Sequence, residues 1–172
     1  MQKDKDAKQS EYTLQKHPFG PVWNENSKIL ILGSFPSVKS REDGFYYAHP
    51  QNRFWKLLAE LFKSDVPQDI PSRKEFLLDR NIALFDVINT CEIKGSSDAS
   101  IKFVQAQDLK PILKGSRIHA VFCNGNTAGR MYKKYQLPIT GVPASILPST
   151  SSANASWSFE KLKKEWSIIL QI

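Results

Sequence analysis

The residues best equipped for chemistry fall in one stretch, Gly33 to Trp55, with the sequence GSFPSVKSREDGFYYAHPQNRFW. A glycine turn and a proline lead to three consecutive aromatics, Phe45, Tyr46 and Tyr47, and then to His49-Pro50-Gln51-Asn52. Three adjacent side chains cannot all face a core. At least one flat ring is therefore expected at a cleft, where it can stack on a planar ligand, while the others serve as core plugs. Asn52 stands where an N-cap asparagine would start the next helix. A second stretch, Leu147 to Asn154 (LPSTSSAN), offers small hydroxyls and exposed backbone N–H groups. These suit phosphate contacts and equally suit an ordinary loop. The two stretches together describe a cleft for something flat and anionic.

Other chemistries are excluded by what is missing. Ser34, His49 and Asp86 make a hydrolase triad on paper, but no G-x-S-x-G elbow presents a nucleophile. Gly33 ends an aliphatic run without a G-x-G-x-x-G or G-x-x-x-x-G-K-[ST] fingerprint. The two cysteines, Cys91 and Cys123, and three histidines form neither C-x-x-C nor H-E-x-x-H, so no metal, no cofactor and no disulfide is expected. The expected setting is reduced and intracellular. The opening MQKDKDAKQS lacks an apolar centre, so no signal peptide is expected. No apolar run approaches the roughly 20 residues that span a bilayer, so no membrane association is expected.

The chain has 172 residues and a net charge of +7, from 24 Lys and Arg against 17 Asp and Glu. Residues 121–172 hold more than half of that excess: Arg130, Lys133, Lys134, Lys161, Lys163 and Lys164 face only Glu160 and Glu165. Such an excess suits a polyanionic partner, and a solvated helix face accounts for it as well.

Several elements must position these loops. Continuous aliphatic runs predict strands at Lys28–Gly33, Ile82–Ile88 and Ile118–Cys123, with a weaker fourth at Val142–Leu147 because of Pro143. Phe54, Leu57, Leu58, Leu61 and Phe62 predict a helix from about Gln51. Ser72 with Glu75 predicts a capping box opening a helix to Arg80, and further helices are expected at Asp108–Leu113, after Asn124-Gly125-Asn126, and at Trp157–Leu170. Residues 34–50 and 89–100 are expected as loops, and residues 1–11 as a flexible tail before one domain over 12–172. Strands alternating with helices imply an α/β fold, a three-layer α/β/α sandwich around a central four-stranded parallel sheet. In such sheets ligands bind beyond the carboxyl ends of the strands, and there the polar segments 33–50, 89–100, 123–127 and 147–155 converge.

The motifs carry a resemblance. Gly33-Ser34-Phe35-Pro36-Ser37 and Ala48-His49-Pro50-Gln51-Asn52-Arg53-Phe54-Trp55 resemble the turn and the A-H-P-x-N-R-F-W stretch of the uracil-DNA glycosylase superfamily. With Tyr46-Tyr47, Asp86-Val87, GSSDASI (Gly95 to Ile101) and LPSTS, the chain is most similar to the hypoxanthine-DNA (deoxyinosine) glycosylase branch. The resemblance spans residues 28–170. It implies a monofunctional enzyme that flips a deaminated base from DNA and hydrolyses its N-glycosidic bond, leaving an abasic site in base excision repair. The related uracil/thymine mismatch branch carries a water-positioning Asn in the first turn. Here that position is Phe35, which can neither donate nor accept, and the resemblance moves the catalytic amide to Asn52. It further implies base contacts from Gly33, Ser34, Phe35, Tyr47, Asp86 and Asn124. DNA contacts are implied for Ser37, Lys39, Ser40, His49, Ser149, Thr150, Ser151 and Ser152. Asp86 can equally tie down the 89–100 loop, Asn124 can equally cap a helix, and Asp98 is expected as a turn residue. A uracil or G·T/G·U mismatch glycosylase and a non-catalytic damage binder remain the alternatives. A monomer acting on DNA is expected.

Overall fold

The structure, a computed structural model, describes residues 11–172. The expected tail thus lies outside the described residues but for Glu11. The fully buried runs ILILG and IALFD form β2 (Ile29–Gly33) and β3 (Ile82–Asp86), with β6 (Ala120–Asn124) and β7 (Ser145–Leu147) completing a four-stranded parallel sheet in the order β3-β2-β6-β7. Strands buried on both faces cannot alternate apolar with polar residues, which is why they read as continuous aliphatic runs. β2 is central: Gly33 pairs with Asp86 on one side and Leu32 with Cys123 on the other.

The connections fix where the cleft lies. The chain leaves β2 through α1 (Val38–Asp43), α2 (Phe54–Leu61) and α3 (Ile70–Asp79) and returns at β3, on one side of β2. It later crosses to β6 on the other side, through α4 (Lys110–Gly115), and reaches β7 through α5 (Asn126–Met131), a π-helical turn (Tyr132–Gln136) and α6 (Leu137–Thr140). Right-handed crossovers in opposite directions put these helices on opposite faces of the sheet. They also leave a crevice where the loops after β2 and β6 part, at Gly33 and Asn124. The final helix, α7 (Phe159–Trp166), continues into a 3₁₀ segment, Ser167–Gln171.

Several elements differ from their sequence expectation. The 34–50 segment contains α1, capped by Ser37, whose Oγ accepts from the Ser40 N–H. α2 opens at Phe54, three residues later than expected. The capping box of α3 uses Asp69, not Ser72, as the N-cap, and Ser72 is its reciprocal partner. The aliphatic run 82–88 is broken at Val87, where the Gly33 and Ser34 carbonyls accept from Val87 and Ile88 and turn the chain out of the sheet. The expected loop at 89–100 is largely β4 (Ile88–Lys94), which pairs antiparallel with β1 (Tyr12–Lys16) and β5 (Lys102–Ala106) in a second sheet ordered β1-β4-β5. β1 and β5 bury no residue fully, β4 does so only at intervals, and all three lack the continuous aliphatic signal of β2.

Candidate active site

A pocket of about 340 Å³ opens at the carboxyl ends of β2, β3 and β6. Its lining contains every residue singled out above as a base or DNA contact except Lys39, which pairs with Asp43 at 2.9 Å along α1. Pro36, Tyr46, Ser96, Asp98 and Ala153 also line it.

Asn52 lies just before the first turn of α2. Its Oδ1 accepts from the Phe54 N–H at 3.0 Å and from the Thr150 hydroxyl at 2.9 Å. A backbone N–H can only donate, so the end of the amide facing Phe54 is oxygen. Both lone-pair directions of Oδ1 are filled, and the Nδ2 protons, which donate to no described residue, remain for the pocket. Asn52 thus behaves partly as the expected helix-start residue, while its free end is a donor.

Thr150 is fully buried and braces the network. Its N–H donates to Asn124 Oδ1 and its Oγ1 accepts from Asn124 Nδ2, both at 3.0 Å. Asn124 therefore engages Thr150 with both ends of its amide, and the cap of α5 is Gly125 (φ 97°), where a side chain would be strained by the backbone and crowd Ser149. The expected DNA contact of Thr150 is closed off by this burial, while Ser149, Ser151 and Ser152 of that loop keep exposure. Arg53 holds the same loop from the other side. Its guanidinium donates to the carbonyls of Ser151 at 3.0 Å, Asn154 at 3.2 Å and Trp157. Sequence reasoning quoted Arg53 only as part of a motif; a rigid five-donor fork next to the catalytic candidate was the available signal.

Tyr47 is held in a left-handed backbone conformation, φ 51°, that a bulky residue rarely adopts. The flanking residues pin it there: Trp55 Nε1 donates to the Tyr46 carbonyl at 3.1 Å, and Ala48 N–H to Ser40 Oγ at 3.1 Å. Ser40 is buried in that role and has no surface for a phosphate. One face of the Tyr47 ring stacks on Phe54, with centroids 4.1 Å apart. His49 is exposed at the rim and accepts from the Gln51 N–H. Phe35 is buried and makes an edge contact with His17.

The carboxylates differ. Asp86 is buried against His17 at 2.7 Å. Asp98 is open to solvent at the pocket rim yet walled in, and it accepts from Ser34 Oγ at 2.9 Å. Poor solvation in the cleft holds its carboxyl above the usual range, the Ser34 bond opposes this, and the nearby Asp86 charge adds to it. Asp98 is thus part of the pocket rather than a turn residue alone. Cys91 and Cys123 are buried and unpaired, and burial pushes their thiols up to about 11 and about 12, so neither is a nucleophile at neutral pH. Among the described residues no group of three His, Cys, Asp or Glu could hold a metal, and no helix is long and apolar enough to cross a membrane.

Comparison with known proteins places these residues in context. The model of the uracil DNA glycosylase superfamily matches residues 21–170. A hypoxanthine DNA glycosylase of Methanosarcina barkeri is 35% identical over 160 residues, covering 89% of this chain and 96% of the relative. A hypoxanthine DNA glycosylase of Methanosarcina acetivorans is 30% identical over 161 residues, covering 91% and 98%. A solution NMR structure of a candidate uracil DNA glycosylase from Methanosarcina acetivorans superposes with a TM-score of 0.75 at 28% identity, covering 92% of this chain and 99% of the other.

Proposed function

The chain belongs to the uracil DNA glycosylase superfamily, and from that membership we propose that it excises hypoxanthine from DNA as a monofunctional glycosylase. The observation that carries this reading is the Asn52 amide, fixed by Phe54 and Thr150 with its N–H end left for the pocket. The relatives named hypoxanthine DNA glycosylase support the substrate.

The chemistry needs no covalent partner. Deoxyinosine pairs weakly, so extruding it costs less than extruding a matched base. In the pocket, the purine lies against Tyr47, which Phe54 backs. The C1′–N9 bond breaks with its electron pair going to the base, water adds to C1′, and its proton passes to solvent or the departing base. Asn52 Nδ2 donates to the electron-rich leaving base or to a lone pair of the attacking water. An amide with its oxygen already engaged is not a general base, so its contribution is preorganised charge stabilisation and positioning. Phe35 removes the water-positioning amide of the uracil/thymine branch, which favours the purine reading over uracil. Ser37, Ser149, Ser151 and Ser152 are positioned for phosphate contacts, which fix register without reading sequence. We read residues 12–172 as one domain acting as a monomer on intracellular DNA.

The test is a panel of duplexes carrying deoxyinosine, deoxyuridine or a G·T mispair, with abasic products cleaved by alkali. Release of hypoxanthine is expected. Release of uracil alone would transfer the chain to the mismatch branch, and lesion binding without any abasic product would make it a damage binder.

A further inference from the structure

β1 ends by delivering His17 to the carboxyl end of β3. The His17 N–H donates to the Asn89 carbonyl at 2.7 Å, and the ring sits among Phe19, Phe35, Tyr46 and Phe85. Its Nδ1 is 2.7 Å from the Phe19 carbonyl oxygen, which can only accept, so Nδ1 carries a proton. Its Nε2 is 2.7 Å from Asp86 Oδ2, so one further proton lies between ring and carboxyl. Whichever of the two atoms holds it, the pair is neutral as a whole, Oδ2 is engaged, and Oδ1 is left as an acceptor. No described residue donates to Oδ1.

Gly33 shows where Oδ1 points. An atom at the place of a Gly33 Cβ would lie 2.3 Å from Asp86 Oδ1 and 3.0 Å from the Tyr47 hydroxyl. The glycine thus lets an acceptor and a donor approach one spot on the pocket wall. The Tyr47 hydroxyl is buried and makes no hydrogen bond of good geometry among the described residues; Asn124 Nδ2, which gives one proton to Thr150 Oγ1, lies near it with its second proton. Burial holds the phenol protonated, so it remains a donor. A buried hydroxyl left without a partner is costly, which points to a partner arriving with the ligand.

We propose that Asp86 Oδ1 and the Tyr47 hydroxyl together read the lactam edge of a deaminated base, accepting from its ring N–H and donating to the adjacent C=O, with His17 as the positioning residue that keeps Oδ1 an acceptor. Deamination converts the ring nitrogen and amino group of adenine or cytosine into this N–H and C=O. An acceptor beside a donor therefore fits the product; against the parent, Asp86 Oδ1 meets the ring-nitrogen lone pair, while the hydroxyl can turn to accept from the amino group, so discrimination rests on Oδ1. Guanine and thymine carry the same edge, and their exclusion rests on stronger pairing and on pocket shape. His17 lies before the residues matched by the superfamily model, 21–170. The inference rests on the glycosylase reading.

Single-turnover excision of deoxyinosine and deoxyuridine duplexes by the full chain tests it. Tyr47→Phe keeps the ring on Phe54 and removes only the donor. Excision should fall about 10- to 100-fold, with the thermal midpoint unchanged or raised; a merely structural hydroxyl would lower it. Asp86→Asn should stay within about 10-fold of wild type, because the new amide donates to the free Nε2 lone pair of His17 and keeps its oxygen toward the base. Adding His17→Phe removes that orientation, and the double variant should fall at least about 10-fold below Asp86→Asn. Normal wild-type excision with Tyr47→Phe within about twofold of it, or a double variant equal to Asp86→Asn, overturns this inference alone. A wild-type chain that releases no base overturns the glycosylase reading and this inference with it.

Discussion

Thr150 donates its hydroxyl proton to Asn52 Oδ1 at 2.9 Å across 98 residues of chain. With the Phe54 N–H on the same oxygen, that bond holds the N–H end of the Asn52 amide toward the pocket. An asparagine free to turn could accept a proton from water; this one is held with its donors forward.

The first prediction follows from that polarity. Asn52→Ala should lower the single-turnover excision rate by about 10²- to 10³-fold, the scale seen when a preorganised donor is removed. Asn52→Asp keeps an oxygen for Phe54 and Thr150 but offers no donor, so it should be no better than Asn52→Ala. An aspartate variant near wild-type rate would show that Asn52 acts as an acceptor.

Thr150→Val removes the hydroxyl at constant shape. It leaves Asn52 Oδ1 and Asn124 Nδ2 each short of a partner, a cost of about 1–3 kcal/mol in stability. Urea unfolding should report that loss, and excision should fall because the amide can rotate. Thr150→Ser should restore both; a serine variant as impaired as the valine one would mean that packing of the methyl group matters more than the hydroxyl.

Arg53 satisfies several carbonyls of one loop with one planar fork. Arg53→Lys supplies a point charge that cannot reach them together. Faster amide hydrogen exchange over residues 149–157 is expected, with little change in β2 or β3. Unchanged exchange in that loop would count against the clamp.

Asp98 supplies a pH prediction. Its carboxyl is raised above the ordinary range in the folded chain, chiefly by poor solvation. The folded state therefore holds the proton more tightly than the unfolded state does, and stability from this group is lost as pH rises through its folded value. Asp98→Asn keeps an acceptor for Ser34 and removes the charge. It should raise the thermal midpoint at neutral pH, and the gain should vanish in acid below the unfolded carboxylate value. A variant less stable than wild type at neutral pH would contradict the sign.

The parallel sheet was legible because β2 and β3 are buried on both faces and leave unbroken aliphatic runs. β1 and β5 were not, since most of their residues face solvent or are only half covered, and short strands of that kind resemble loops. The pocket was legible as a convergence of loops, and Asn52 through its motif. The roles of Thr150, Arg53 and His17 were not, because each depends on a partner far along the chain; the His17–Asp86 contact spans 69 residues. Periodicity reports which face of an element is buried, and it carries no information about which distant group a buried polar atom meets.

The clamp between Asn52-Arg53 and the loop that contains Thr150 also sets a time order for the chain as it is made. At about 5–20 residues per second of synthesis, Thr150 emerges several seconds after Asn52. Until then the amide is held by the Phe54 N–H alone and the pocket lacks a wall. A ribosome-bound fragment ending before this loop would carry the recognisable YYAHPQNRFW motif and yet be unable to cut a base from DNA.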